Sequence, residues 1–298
     1  MELRPSHVPE KRQYPGARRV MDFVRPLEIS VFECDRRVSS SPASKHTDRR
    51  SPRFLIHMLR YRILRFFFRL TFWGLLARTK VIGRENIPGK GPYLVLINHI
   101  SHLDMLLVLA VAPLMKFRFL ISRRWVQRKR FRSVLQWLGA IPVSFEPGAV
   151  NCTAVRQGLR TLQDGVVMGF APEATISPPG LLQGKRGAGF FASRLGIPIL
   201  PVGIVNTDKV LSNARRFRRT ELEIRIGKPF RLPQPDPSMG RRDQLDAYRH
   251  YIMVRIASLI PARYHGRYAG DPALAAVVQG KDPWPIIEST FNKDPITV

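Results

Sequence analysis

The run YLVLINHISHLD, residues 93–104, passes from a strand pattern into a helix pattern. Its first five residues are apolar without a break, the mark of a short strand buried on both faces, and a segment of helical length and composition follows at 102–114. Working outward, the same alternation recurs. Apolar runs at 117–122, 141–145, 165–170, 198–205 and 221–227 are separated by stretches at 124–138, 151–163 and 185–195 that read as helices. Strand, helix, strand, helix predicts an α/β fold, a mostly parallel sheet flanked by helices, with chemistry at the strand ends. Residues 239–260 read as one further helix.

Composition narrows the function classes. The chain has 298 residues, 44% of them hydrophobic, enough for a packed core and too many for a wholly disordered chain. Two cysteines, Cys34 and Cys152, are too few for a disulfide framework. Lys and Arg number 49 against 22 Asp and Glu, a formal net charge of +27, which points to an anionic partner: nucleic acid or a phospholipid surface. No helix-turn-helix, zinc-finger or RNP pattern is present to support the first.

The excess is most one-sided in residues 51–90, with 9 basic residues against 1 acidic. There the text FLIHMLRYRILRFFFRLTFWGLLA, residues 54–77, is too interrupted by arginine to span a bilayer, which takes roughly 20 predominantly apolar residues. Arg62, Arg65 and Arg69 recur at spacings of three and four, one stripe of a helix otherwise aromatic and aliphatic. That is the pattern of an N-terminal amphipathic, membrane-contacting helix lying in anionic headgroups; the alternative is a helix that packs on the protein and turns its arginines to water. The predicted organisation is a loosely ordered basic extension over 1–52, the interfacial segment over 53–79, a catalytic domain over 80–260 and an irregular tail over 261–298.

His99 stands just past the end of a strand and Asp104 five residues later, in the first turn of the next helix. That spacing lets the carboxylate reach the imidazole, so the pair reads as a general base and the group that orients it. Such a base activates an acceptor hydroxyl for attack on an acyl carbonyl, with no Ser or Cys nucleophile needed. Two other readings remain open here: Ser101 and Asp104 also form a capping-box pattern, and His99, His102 and Asp104 could ligate a metal.

The order NHISHLD (98–104), GAIPVSF (139–145), APEATISP (171–178) and GIPILPV (196–202) resembles the four blocks of the glycerolipid acyltransferases, lysophosphatidate acyltransferases among them, over about residues 80–230. The resemblance implies a glycerol-3-phosphate acyltransferase-like fold, His99 as base and Asp104 as its partner. It also implies Glu173 as a ligand of the acceptor hydroxyl, with Thr175 beside it in the same block and Lys185 at a basic position common after that block, next to Arg186. No metal or cofactor is implied beyond the co-substrate, acyl-coenzyme A or acyl carrier protein. Three positions depart from the family pattern: Ala174 replaces a glycine, and Phe145 and Ile176 stand where the family places arginines near the acceptor phosphate.

The expected function is that of a peripheral enzyme on the cytoplasmic face of an anionic membrane, moving a fatty acyl group from a thioester to a lysophospholipid hydroxyl. Conversion of 1-acylglycerol-3-phosphate to phosphatidate leads; a different lipid acceptor, or a basic nucleic-acid-binding protein, are the alternatives. Nucleic acid is not an expected partner. Eight basic residues with no acid between Lys116 and Arg132, and the cluster Arg215, Arg216, Arg218 and Arg219, offer surfaces for donor phosphates, an acidic carrier protein or headgroups.

Overall fold

The computed structural model describes residues 62–63, 66–111, 117–144, 151–176 and 180–292. They form one seven-stranded sheet: β1 (Ala77–Ile82), β2 (Leu94–Ile97), β3 (Phe117–Ser122), β4 (Ala140–Val143), β5 (Val167–Phe170), β6 (Ile199–Val205) and β7 (Thr220–Ile226), in the order β1-β7-β6-β2-β5-β3-β4. All neighbours are parallel except β6 and β7. The mostly parallel α/β sheet expected from the sequence is therefore present, with β2 at its centre.

Helices cover both faces. Val95 and Ile97 of β2, with Tyr93 just before it, face Leu107, Val108 and Val111 of α1 (Asp104–Val111) in one core. Leu94 and Leu96, pointing the other way, join α4 (Cys152–Gln163), α5 (Gly187–Leu195) and α7 (Arg241–Ala257) in a second. A strand buried on both faces must be apolar at every position, which is why the central runs were legible. Full burial of each such side chain contributes ~1.5–3 kcal/mol, so these two cores hold the sheet in place. In β5, Gly169 leaves room for the neighbouring Phe117 ring, which an added Cβ would meet at 2.4 Å.

Three sequence boundaries move. β1 begins at Ala77 and runs through residues assigned to the interfacial segment, so the domain opens earlier than residue 80. Its text, ARTKVI, lacks an apolar run because it is an edge strand in which only Ala77 is fully buried. The stretch 124–138 divides into α2 (Arg123–Gln127) and α3 (Lys129–Trp137), and α6 (Val210–Ala214) is added before β7. The tail from 261 is not irregular. It forms α8 (Pro272–Val278) and α9 (Trp284–Phe291), and Ala273, Leu274, Trp284 and Ile287 enter the second core. Asp271 starts α8 by accepting the amides of Ala273 and Leu274, with Pro272 at the first helical position.

Residues 53–61 and 64–65 of the 53–79 segment, Arg65 of the arginine stripe among them, lie outside the described residues. Residues 66–69 are helical and lead into a π-helical turn, Leu70–Leu75. Phe68 and Leu76 pack on the first core, while Phe66, Phe67, Leu70 and Leu75 are exposed. No helix among the described residues is long and apolar enough to cross a membrane.

Trp284 packs against Tyr248 and Tyr251 of α7, with ring centroids at 5.7 and 5.8 Å. If the tail is part of the core, Trp284→Ala lowers unfolding free energy by about 3–5 kcal/mol. Urea denaturation reads this directly; an appended tail would give no change.

Candidate active site

Asn98, His99 and Asp104 meet at the carboxyl end of β2. Asn98 is fully buried and pairs with the backbone of β6, its Nδ2 donating to the Ile204 carbonyl at 2.9 Å and its Oδ1 accepting the Ile204 amide at 2.7 Å. The side chain thus extends the ladder past the last residue of β2 and fixes where the next residue leaves the sheet. That residue is His99.

His99 Nδ1 lies 3.0 Å from Asp104 Oδ2. The same oxygen accepts the amides of Ile100 and Ser101, each at 2.8 Å, and Asp104 Oδ1 accepts the Thr207 hydroxyl. Asp104 has no exposed side-chain surface, and a carboxylate withdrawn from water needs such donors. A carboxylate only accepts, so Nδ1 carries the hydrogen and Nε2 is the nitrogen that can take a proton. The His99 side chain is 24% exposed, within reach of a substrate. The capping reading is also realised: Ser101 Oγ accepts the Leu103 amide at 3.3 Å while Asp104 reaches back to the Ser101 amide. One carboxylate serves both the helix start and the imidazole.

Glu173 is 2% exposed; Oε1 accepts the His99 amide at 3.1 Å and Oε2 accepts the Leu182 amide at 2.7 Å. The carboxylate expected to meet the acceptor hydroxyl thus holds main chain here, one of its oxygens that of His99. The turn presenting Glu173 closes through the Ala174 amide to the Ala171 carbonyl at 3.2 Å, and Ala174 has φ 62°. A glycine fits this left-handed position without strain, which gives the family glycine a physical reason. Thr175 is exposed and makes no side-chain hydrogen bond among the described residues.

The two basic candidates separate. Lys185 is half-buried, and its amide donates to the Pro172 carbonyl at 2.7 Å, which brings it beside the Glu173 turn. Arg186, expected at the substrate, is buried and ion-paired to Asp246 on α7, Nε donating to Oδ1 at 2.8 Å and a terminal nitrogen to Oδ2. Arg249 also reaches Asp246, at 2.9 Å. Phe145 lies outside the described residues; Ile176 is half-buried.

Two participants escaped the sequence reading. Thr207 lies just past the end of β6, and only the placing of β6 beside β2 brings it to Asp104. Trp125 stands in the basic run; its ring meets His102 edge-on at 5.1 Å, and the Arg128 guanidinium lies 4.9 Å from its centroid. The His102 pKa is held below the ordinary histidine value, by burial first, with the charges of His99 and Arg128 adding to the effect and Asp104 opposing it. No group of three or more His, Cys, Asp or Glu able to hold a metal gathers among the described residues.

The family model described as Acyltransferase matches residues 78–205, from β1 to the end of β6. Chloroplastic 1-acyl-sn-glycerol-3-phosphate acyltransferases of Brassica napus and Arabidopsis thaliana are each 25% identical, over 161 and 167 residues, covering 51% and 53% of this chain. The match spans 45% of the length of each of these relatives. The crystal structure of the 1-acyl-sn-glycerophosphate acyltransferase PlsC of Thermotoga maritima shares the fold, with TM-score 0.55 and 23% identity over 70% of this chain and 82% of that one. Residues 78–205 are thus similar to the acyltransferase family, and the relatives that the chain resembles are named as glycerolipid acyltransferases.

Two substitutions test the parts that Ala174 and Arg186 play in the fold. Ala174→Gly relieves a left-handed alanine and raises stability by about 0.5–1 kcal/mol, visible as a higher denaturation midpoint. Arg186→Ala leaves Asp246 with Arg249 alone and costs about 2–3 kcal/mol in the same measurement. A phosphate-binding arginine would instead change the KM for a phosphate-bearing acceptor at constant stability.

Proposed function

We propose that this protein is a glycerolipid O-acyltransferase that moves a fatty acyl group from a thioester to the free hydroxyl of a lysophospholipid, with 1-acylglycerol-3-phosphate as acceptor and phosphatidate as product. The observation that carries the proposal is the buried Asp104 carboxylate holding His99 Nδ1 at 3.0 Å, with the imidazole partly exposed at a strand end. The names of the relatives support the acceptor.

In this reading the acceptor hydroxyl gives its proton to His99 Nε2 as its oxygen attacks the thioester carbonyl, and Asp104 stabilises the imidazolium that forms. The tetrahedral intermediate collapses, the carbon–sulfur bond breaks, and the thiolate takes the proton back from His99. The amides of His99, Ile100 and Ser101 are bound to Glu173 and Asp104, so the donor to the developing oxyanion comes from elsewhere in the site. Lys185 and the exposed Arg123, Arg124 and Arg128, which follow β3 at the His99 end of the sheet, are the candidates for donor or acceptor phosphates. Acyl-coenzyme A and acyl carrier protein both remain donors in this proposal, and a peripheral position on the cytoplasmic, anionic membrane face suits the net charge of +27.

The test is a panel of acyl-coenzyme A and acyl carrier protein donors against lysophosphatidate, other lysophospholipids and acceptors without phosphate, read by product mass. His99→Ala is expected to lower turnover by about 100- to 10,000-fold, the usual worth of a general base. Thr207→Val, which removes one support of Asp104, is expected to lower kcat with little change in KM. Full activity in His99→Ala would sink the mechanism. Activity confined to non-phosphate acceptors would keep the chemistry and replace the substrate, in line with the half-buried Ile176 at an expected arginine position.

A further inference from the structure

The chain between β6 and β7 ends α6 in an unusual way. The Arg218 amide donates to the Asn213 carbonyl at 2.9 Å and the Phe217 amide to the Ala214 carbonyl at 3.0 Å, the two hydrogen bonds of a Schellman motif. Its left-handed position, where glycine is usual, holds Phe217 at φ 53°. Phe217 is 101% exposed, so no packing among the described residues offsets the strained backbone or the uncovered ring. Arg215, Arg216, Arg218 and Arg219 flank it, all exposed, and no acid occurs from Lys209 to Thr220. Leu211, also exposed, lies one helical turn before.

A second apolar patch adjoins it. Arg219 donates to the Gly74 carbonyl, and the Thr220 amide to the Leu76 carbonyl at 3.0 Å, so the turn is stitched to the segment that exposes Phe66, Phe67, Leu70 and Leu75. Both patches lie at the end of the sheet that carries His99. β6 runs toward that end; β7, antiparallel to it, starts there; and β1, parallel to β7, starts there too, with Ala77 opposite Thr220.

We propose that the turn 215–219 is a membrane-insertion element: Phe217 enters the interfacial layer of an anionic bilayer, the flanking arginines engage lipid phosphates, and together with the exposed side of residues 66–75 it sets the His99 end of the sheet against the membrane. A convex, isolated ring ringed by guanidinium groups suits a fluid anionic surface, which needs no shape complementarity, better than it suits a protein groove. The proposal rests on the membrane-surface part of the function above and not on its chemistry.

The test uses the full chain with phosphatidylglycerol-rich and pure phosphatidylcholine vesicles in a flotation assay. Wild type is expected to bind the anionic vesicles, less so as salt rises. Phe217→Gly relieves the backbone, so thermal stability is expected to hold or rise while vesicle affinity falls about tenfold; Phe217→Trp restores binding. Arg215→Gln, Arg216→Gln and Arg218→Gln combined are expected to abolish most of the salt-sensitive part. Acyl transfer with acceptor in detergent micelles is expected to be unchanged by Phe217→Gly and lost in His99→Ala, whose vesicle binding stays intact. Equal vesicle affinity of wild type and Phe217→Gly overturns the insertion turn alone. Failure of wild type to bind anionic vesicles overturns it together with the membrane reading. Phe217-dependent binding to DNA or RNA without vesicle binding overturns it in favour of nucleic acid, and loss of micelle activity in Phe217→Gly would make the turn part of the site.

Discussion

The Asp104 carboxylate is the point on which the local structure depends. Burying it without donors would cost several kcal/mol, and its donors come from three directions: the imidazole of His99, the amides of Ile100 and Ser101, and the hydroxyl of Thr207. Satisfying one charge therefore joins the end of β2, the start of α1 and the end of β6. The imidazole is oriented as part of a network that the fold needs in any case. Asn98 and Glu173 extend the same logic to the main chain on either side of His99, one pairing with Ile204 and the other with the His99 amide.

Such a site separates positive charge by use. The arginine nearest the third block in sequence, Arg186, is spent on Asp246, and the pair ties the start of α5 to α7. Exposed basic residues include those that follow β3 and those that surround the turn before β7. Net charge taken from sequence counts both kinds alike, and only burial distinguishes an arginine that holds the fold from one that meets a ligand.

The central strands were legible because a strand covered on both faces admits only apolar residues, and the His99–Asp104 pair was legible because its spacing matches a strand-to-helix turn. β1 was not, since an edge strand with one covered face mixes Arg78 and Lys80 with its apolar residues. The tail misled for a different reason. Its prolines and glycines signal turns, yet Pro272 also opens a helix, and Trp284 is held by Tyr248 and Tyr251, contacts across sequence that no local pattern encodes. Thr207 was invisible alone, because its role exists only once β6 is placed beside β2. Glu173 was found as a residue, but its bonds to the His99 and Leu182 amides were not, because they join segments far apart in sequence.

The one antiparallel pair in the sheet has a consequence for how the molecule meets its surroundings. In an all-parallel sheet, the chain leaving β6 would cross back and enter β7 at the end remote from His99, and β1 would start there too. Because β7 reverses direction, the connection 206–219 stays at the His99 end, and the chain entering β1 arrives at that end as well. The chain entering β1 carries the exposed Phe66, Phe67, Leu70 and Leu75; the connection carries Phe217 and its arginines. A single strand reversal thus brings Phe217 with its flanking arginines, and the exposed side chains of 66–75, to the end of the sheet that carries the imidazole. For an acceptor with its hydroxyl near a lipid headgroup and its acyl chain in a bilayer, that is the end from which the hydroxyl can reach Nε2 without the chain leaving its apolar surroundings.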